Sequence, residues 1–193
     1  MNDTLLFLRA WLKDPSRVGA VAPSGRALAK LITAHLTPSD QTIIELGPGT
    51  GAFTAALIAR GIKEHRLALV EADPAFARAL KLRFPTARVL AMDATHLGDV
   101  ASLFEEPADA IISGLPLLAM QKDAVSAILG GAFGHLRAGG SMYQFTYVPR
   151  CPVASPMLDQ LRLEAHRVGS AWANLPPAFV YRLRRLSTAA VTV

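Results

Sequence analysis

Thr42-Ile43-Ile44-Glu45-Leu46-Gly47-Pro48-Gly49-Thr50-Gly51 is the stretch on which the fold turns. Thr42–Leu46 is a short apolar run rich in β-branched residues that stops at a glycine, which predicts a buried strand. Gly51–Arg60 follows as a helix, so the glycines occupy a strand-to-helix junction. Glycines there let the backbone approach a nucleotide closely, with no Cβ in the way. The spacing Gly47, Gly49, Gly51 does not fit the G-x-G-x-x-G of a dinucleotide site, and no lysine is near to complete a phosphate-cradling loop. Instead the acidic Glu45 precedes the glycines. An anion at that point repels a pyrophosphate and suits a cationic ligand such as the ammonium of a methionyl group.

Working outward, the same rhythm repeats. Leu67–Ala72 reads as a second strand, Pro74–Phe84 as a second helix with proline near its start, and Ala87–Met92 as a third strand ending at Asp93. Ala108–Ser113 is a fourth strand, Gln121–Leu136 a helix closed by Gly139-Gly140, and Ser141–Tyr147 a fifth strand. Strand and helix alternate, which predicts a mostly parallel sheet with helices on both faces. The end breaks the rhythm. Leu161–Ala173 and Ala178–Leu186 both read as strands, joined by Asn174-Leu175-Pro176-Pro177, and predict a terminal antiparallel hairpin. Ligands in such sheets bind beyond the carboxyl ends of the strands. Gly47, Gly49, Glu71, Asp93 and Ser113 should therefore converge on one crevice, with the Glu71 carboxylate placed to accept from a ribose diol. Asp93 has a second reading, as the N-cap of a helix over Ala94–Leu103.

Before the sheet, Leu5, Leu8, Trp11 and Leu12 fall on one helical stripe, interleaved with Arg9, Lys13 and Arg17. That pattern fits either a helix lying in a membrane interface or one packed on the core. Val18–Ser24 reads as a loop and Leu28–Leu36 as a short helix.

Composition sets the bounds. A chain of 193 residues with 51% hydrophobic residues and one cysteine, Cys151, predicts one domain with a sizeable core and no internal disulfide. The five histidines lie about thirty or more residues apart, so no metal is expected. No apolar run reaches the ~18 residues of a membrane span, and the N-terminus lacks a secretory pattern, which together predict a cytoplasmic protein. Residues 1–30 carry five basic and two acidic side chains, and residues 150–193 carry six and two, while the middle is slightly acidic. Basic ends favour an anionic partner, nucleic acid or membrane.

With Glu45, the glycine loop, Glu71 and Asp93 at successive strand ends, the chain resembles the class I S-adenosylmethionine-dependent methyltransferases. The resemblance implies a Rossmann-like α/β fold with a seven-stranded, mostly parallel sheet, the C-terminal hairpin and an N-terminal amphipathic helix. It implies that Glu45, Gly47, Pro48, Gly49, Thr50 and Gly51 hold the methionine part of the cofactor. Glu71 and Ala72 would hold the ribose, and Asp93 and Ala94 would meet the adenine. Ser113-Gly114-Leu115-Pro116 would line the meeting point of methyl and acceptor, and Ser24 would complete the cofactor contacts.

A narrower likeness runs through FLRAWLKDPSRVGAVAPSG (Phe7–Gly25), ELGPGTG, SGLPLL (Ser113–Leu118), QFTY (Gln144–Tyr147) and NLPPAFVYRLRR (Asn174–Arg185). Together these are similar to bacterial phospholipid N-methyltransferases, which make phosphatidylcholine from phosphatidylethanolamine. The likeness implies that residues 1–36 form a helical membrane-binding or lid segment on a core of residues 37–193, with Trp11 at an anionic membrane on the inner face of the cell membrane. S-adenosylhomocysteine would be the product, and no metal or nucleic acid is implied. The Gly114 carbonyl and the Tyr147 hydroxyl are candidates to orient the amine, although a half-buried strand tyrosine would look the same. Leu115 faces the acceptor in this reading, and Arg17, Arg182 and Arg184 are candidates for the lipid phosphate. RNA adenine N6-dimethyltransferases share the cofactor domain but typically read Asn-Leu-Pro-Tyr or Asn-Ile-Pro-Phe after the fourth strand. Here Ser113 and Leu117 replace the polar anchor and the stacking aromatic. Methylation of another aminolipid, such as ornithine lipid, stays open.

Overall fold

The computed structural model describes residues 23–39 and 42–186. Seven strands form one sheet: β1 (Ile43–Leu46), β2 (Leu67–Glu71), β3 (Arg88–Ala91), β4 (Ala108–Ser113), β5 (Leu136–Thr146), β6 (Leu163–Ala171) and β7 (Ala178–Arg185). Their order is β3-β2-β1-β4-β5-β7-β6. The first five run parallel, and β7 is antiparallel to both β5 and β6. This is the doubly wound sheet with a terminal hairpin that the alternation of elements predicts. β1 lies at the centre and every one of its residues is buried, which explains why it reads as an unbroken apolar run.

Helices cover both faces. On one face α1 (Pro23–Ile32), α2 (Ala52–Ala59) and α3 (Pro74–Arg83) contribute Leu28, Ile32, Leu57 and Leu80 to a core against Ile43, Leu69 and Ile112. On the other, α4 (Lys122–His135) and the short α5 (Ser155–Gln160) pack Val125, Ile128, Leu129 and Met157 against Ile44, Val70 and Ile111. Arg60, just past α2, donates to the carbonyls of Ala34 and Leu36 and so ties off the chain end of α1.

Four local expectations are corrected. α1 begins at Pro23, not Leu28, because proline suits the first turn of a helix and need not mark a loop. Leu28, Ile32 and Leu36, within the segment that the sequence reading sets apart as residues 1–36, are buried in the sheet core. Gly139-Gly140 does not close α4. The chain enters β5 directly at Leu136, and the glycines lie in a bulge where the pairing jumps from Ala108↔Leu136 to Ala110↔Ser141. Arg137 in this bulge donates to Asp109 at 2.7 Å, and Asp109 also accepts from the Thr42 amide at 2.8 Å. Finally, Asp93 starts a 3-10 turn over Ala94–Asp99, where a helix to Leu103 was the expectation, and β6 starts at Leu163 because α5 occupies the residues just before it.

Candidate active site

The carboxyl ends of β1, β2 and β4 deliver three loops to one edge of the sheet. The loop after β1 folds against the loop after β4. Gly47 has φ +65°, and a Cβ there would meet Leu115 Cδ2 at 2.7 Å. Gly114 donates from its amide to the Leu46 carbonyl, and a Cβ on it would sit 2.6 Å from the Gly47 carbonyl oxygen. Both glycines are therefore demanded by close backbone approach. Gln144, fully buried at the end of β5, donates to the carbonyls of Leu115 and Phe145 and so pins the β4 loop to the sheet.

Glu71 organises the second side. Its two carboxylate oxygens accept separately from the amides of Gly49 and Asp73, each at 2.9 Å. A carboxylate has about four lone-pair directions, so each oxygen can still accept from a ribose hydroxyl. Asp93 uses Oδ1 to cap the Thr95 amide at 2.8 Å and to accept from the Thr95 hydroxyl. These bonds to Thr95 hold its carboxyl below the usual carboxylate range. The N-cap reading of Asp93 is thus correct, and the same residue also borders the cavity. That cavity, of about 160 Å3, is lined by Gly47, Glu71, Ala72, Asp93, Ala94 and Leu115, with Val70, Met120 and Ile128 as its apolar floor. The structure brings six of the sequence candidates together here.

Glu45 lies below the glycine loop and does not line the cavity. It is 1% exposed, and its Oε2 accepts from the Thr54 hydroxyl of α2 at 2.6 Å. Oε1 is buried without a hydrogen-bond partner. Burial pushes the carboxyl pKa up to about 7, opposed by the hydrogen bonds from Thr54 and helped by the nearby Glu71 charge. A buried acceptor left open beside a glycine loop fits a cationic ligand group. Thr54 and Gln144 were not among the sequence candidates. Thr54's position facing β1 from the first turns of α2 was the available signal.

The remaining candidates fall elsewhere. Pro48, Gly49, Thr50 and Gly51 form the turn itself, with the Gly51 amide bonded to the Pro48 carbonyl. Ser113 is fully buried, and its hydroxyl accepts weakly from the Leu115 amide at 3.3 Å. Tyr147 follows the end of β5 and packs edge-on against Phe145, with ring centroids 5.3 Å apart, on the sheet face away from the cavity. Burial raises its hydroxyl above the ordinary tyrosine value, against a hydrogen bond with Asn174. Arg182 sits mid-strand opposite Tyr143 and His166, also on the face away from the cavity, and the structure does not bring it to the site. Trp11 and Arg17 lie outside the described residues; Ser24 is in the first turn of α1, with its side chain outside the described atoms. Among the described residues, no group of three His, Cys, Asp or Glu side chains could hold a metal ion.

The model of the methyltransferase small domain matches residues 23–151, more than half of the chain and all three of these loops. The chain belongs to the methyltransferase small domain family. Ornithine lipid N-methyltransferase of Singulisphaera acidiphila is 27% identical over 154 residues, 77% of this chain and 80% of that one. A TehB-like SAM-dependent methyltransferase from Corynebacterium glutamicum superposes with a TM-score of 0.63 at 18% identity, covering 95% of this chain and 98% of its own. The 23S rRNA methyltransferase ErmE does so with 0.56 at 22% identity, covering 83% and 67%. At these identities the two structures establish the shared fold. This methyltransferase is therefore S-adenosylmethionine-dependent and of the Rossmann-like class I fold. The unpartnered Glu45 oxygen beneath the glycine loop, the preorganised Glu71 carboxylate and the cavity beside Glu71 fit that cofactor, which supplies a methyl group on a positively charged sulfur.

Proposed function

We propose that this methyltransferase N-methylates the amino headgroup of a membrane aminolipid, with phosphatidylethanolamine as acceptor and stepwise conversion to phosphatidylcholine. The observation that carries the reading is the loop after β4. Leu117 stands where an RNA adenine enzyme would present its stacking aromatic, and it is only 3% exposed. The neighbouring wall is Leu115 and Met120. A flipped base would find no platform there, whereas an amine carried on an apolar molecule needs none. Ornithine lipid is the second reading, favoured by the relative from Singulisphaera acidiphila.

In this reading Glu45 takes the methionine ammonium and Glu71 the ribose hydroxyls, while the Gly47–Gly114 contact fixes the distance between cofactor loop and acceptor loop. The Gly114 carbonyl orients the acceptor amine. The amine must shed a proton before it can attack, since an ammonium has no lone pair. Tyr147, packed against Phe145 on the other face of the sheet, takes no part in this reading. Placing the two partners in line can supply up to ~7–11 kcal/mol of the barrier reduction. The acceptor surface is anionic membrane on the inner face of the cell membrane. No described helix is long and apolar enough to cross a bilayer, so contact would be peripheral. The test is expression in a bacterium that makes neither phosphatidylcholine nor methylated ornithine lipid, followed by lipid mass spectrometry. Mono-, di- and trimethylated phosphatidylethanolamine is the expected result. Methylated ornithine lipid alone would move the assignment to the second reading, and an unchanged lipid profile in cells holding folded protein would refute both.

A further inference from the structure

Trp172 and Leu175 stand out on the surface: they are 73% and 87% exposed, and both lie in the turn between β6 and β7. The turn is held in shape from within. Asn174 is buried, its amide bonds the Ala171 carbonyl, and its side chain donates to the Pro176 carbonyl. Trp172 meets the buried Phe179 edge-on at 5.8 Å between centroids, and the Arg167 guanidinium lies 5.9 Å from the same ring. Two large apolar side chains are thus presented to solvent on an ordered support, next to a cation.

Topology fixes where this tip points. β7 is antiparallel to β5 and to β6, so β6 runs in the same direction as β5. The β6–β7 turn therefore emerges at the sheet edge where β1, β2 and β4 deliver the glycine loop, Glu71 and the acceptor loop. The side chain of Asn174 in the turn lies near enough to Tyr147, just past β5, to pull the Tyr147 pKa down against the rise that burial causes. Arg150 is exposed just beyond Tyr147, and Arg167 is exposed on β6.

We propose that the β6–β7 turn is a membrane seat: Trp172 and Leu175 enter the interface of an anionic bilayer and hold the acceptor edge of the sheet against it. Tryptophan and leucine beside arginine match a surface that is apolar just below a layer of negative headgroups. The choice of a bilayer as partner rests on the aminolipid reading. A seat at this edge lets a headgroup reach the loop after β4 while its acyl chains stay in the membrane.

The experiment uses the full chain and vesicles of phosphatidylethanolamine with phosphatidylglycerol, with and without brominated acyl chains. The chain has two tryptophans, so the difference between wild type and Trp172→Phe isolates Trp172. Wild type should show blue-shifted emission quenched by the brominated lipid, and Trp172→Phe should lose that component. Trp172→Ala with Leu175→Ala should weaken vesicle binding by about ten-fold or more, with S-adenosylmethionine affinity unchanged as the sign of an intact fold. Equal quenching in wild type and Trp172→Phe would overturn the seat. So would sedimentation of lipid-free wild type as a dimer that the double variant dissolves, since the partner would then be a second copy. Methylation of an aminolipid by protein whose Trp172 stays unquenched would sink the seat and leave the function. Quenching with no aminolipid methylated would do the reverse.

Discussion

Glu45 meets two demands that pull in opposite directions. The fold buries its carboxyl and raises its pKa from 4.5 to about 7, so the folded chain prefers the protonated form. Stability from this group is fully present below about pH 4.5 and is lost as the pH climbs to about 7, on the order of 3 kcal/mol across that window. A cationic ligand prefers the ionised form. Glu45→Gln should therefore do two things. Its stability relative to wild type, read by urea unfolding, should improve between pH 5 and pH 8. Its affinity for S-adenosylmethionine, read by calorimetry, should fall about 10–100-fold, as for loss of a charged hydrogen bond. In wild type the affinity should rise about five-fold between pH 6 and 7 with release of a proton, then decline above about pH 8 as the ligand's own amine deprotonates. A flat profile would mean that Glu45 braces the glycine loop and never meets the ligand charge.

Among the elements, α1 decides whether the N-terminal segment is a lid or part of the frame. Ile32 is fully buried, and Leu31 packs so closely on β6 that a Cβ on Gly169 would come within 2.6 Å of it. Ile32→Ala should lower unfolding stability by about 2–4 kcal/mol; a detachable lid would leave the unfolding transition where it was. Gly114→Ala should be no better tolerated, because the obstacle is the Gly47 backbone and not a flexible side chain. It should reduce turnover by at least about ten-fold in the fraction that folds. The sheet was legible in the residues because period and punctuation agree in each strand: Ile43–Leu46, Leu67–Glu71 and Ala108–Ser113 are buried apolar runs ended by glycine or a carboxylate. What escaped was local chemistry with two meanings. Pro23 opens a helix as readily as it makes a loop, Gly139-Gly140 serves a bulge as well as a helix end, and six residues are too few for α5 to show a period. In the site, positions at strand ends could be read from order alone. The partners reached through tertiary packing, Thr54 for Glu45 and Gln144 for Leu115, could not.

At the scale of the whole molecule, one edge of one sheet gathers everything with a proposed role. The glycine loop, Glu71, Asp93 and the acceptor loop arrive there on parallel strands, and the β6–β7 turn joins them because β6 runs in the same direction as β5. The opposite end of β7 carries Arg184, bonded to Ser141, and Arg185, bonded to the Phe133 carbonyl, both far along the strand from that edge. Basic charge in this segment is thus partly taken up by structural ties, and Arg182 lies mid-strand, away from the edge that holds the cavity. The most direct test of the aminolipid assignment is methyl transfer from labelled S-adenosylmethionine by the purified chain. Acceptors would be vesicles of phosphatidylethanolamine with an anionic lipid, vesicles with ornithine lipid, and structured RNA. Label in methylated phosphatidylethanolamine, cut about 10–100-fold with Glu45→Gln at sub-saturating S-adenosylmethionine, is the result the account predicts. Label in RNA, with both lipid acceptors unlabelled, would contradict it and leave the buried Leu117 to be explained.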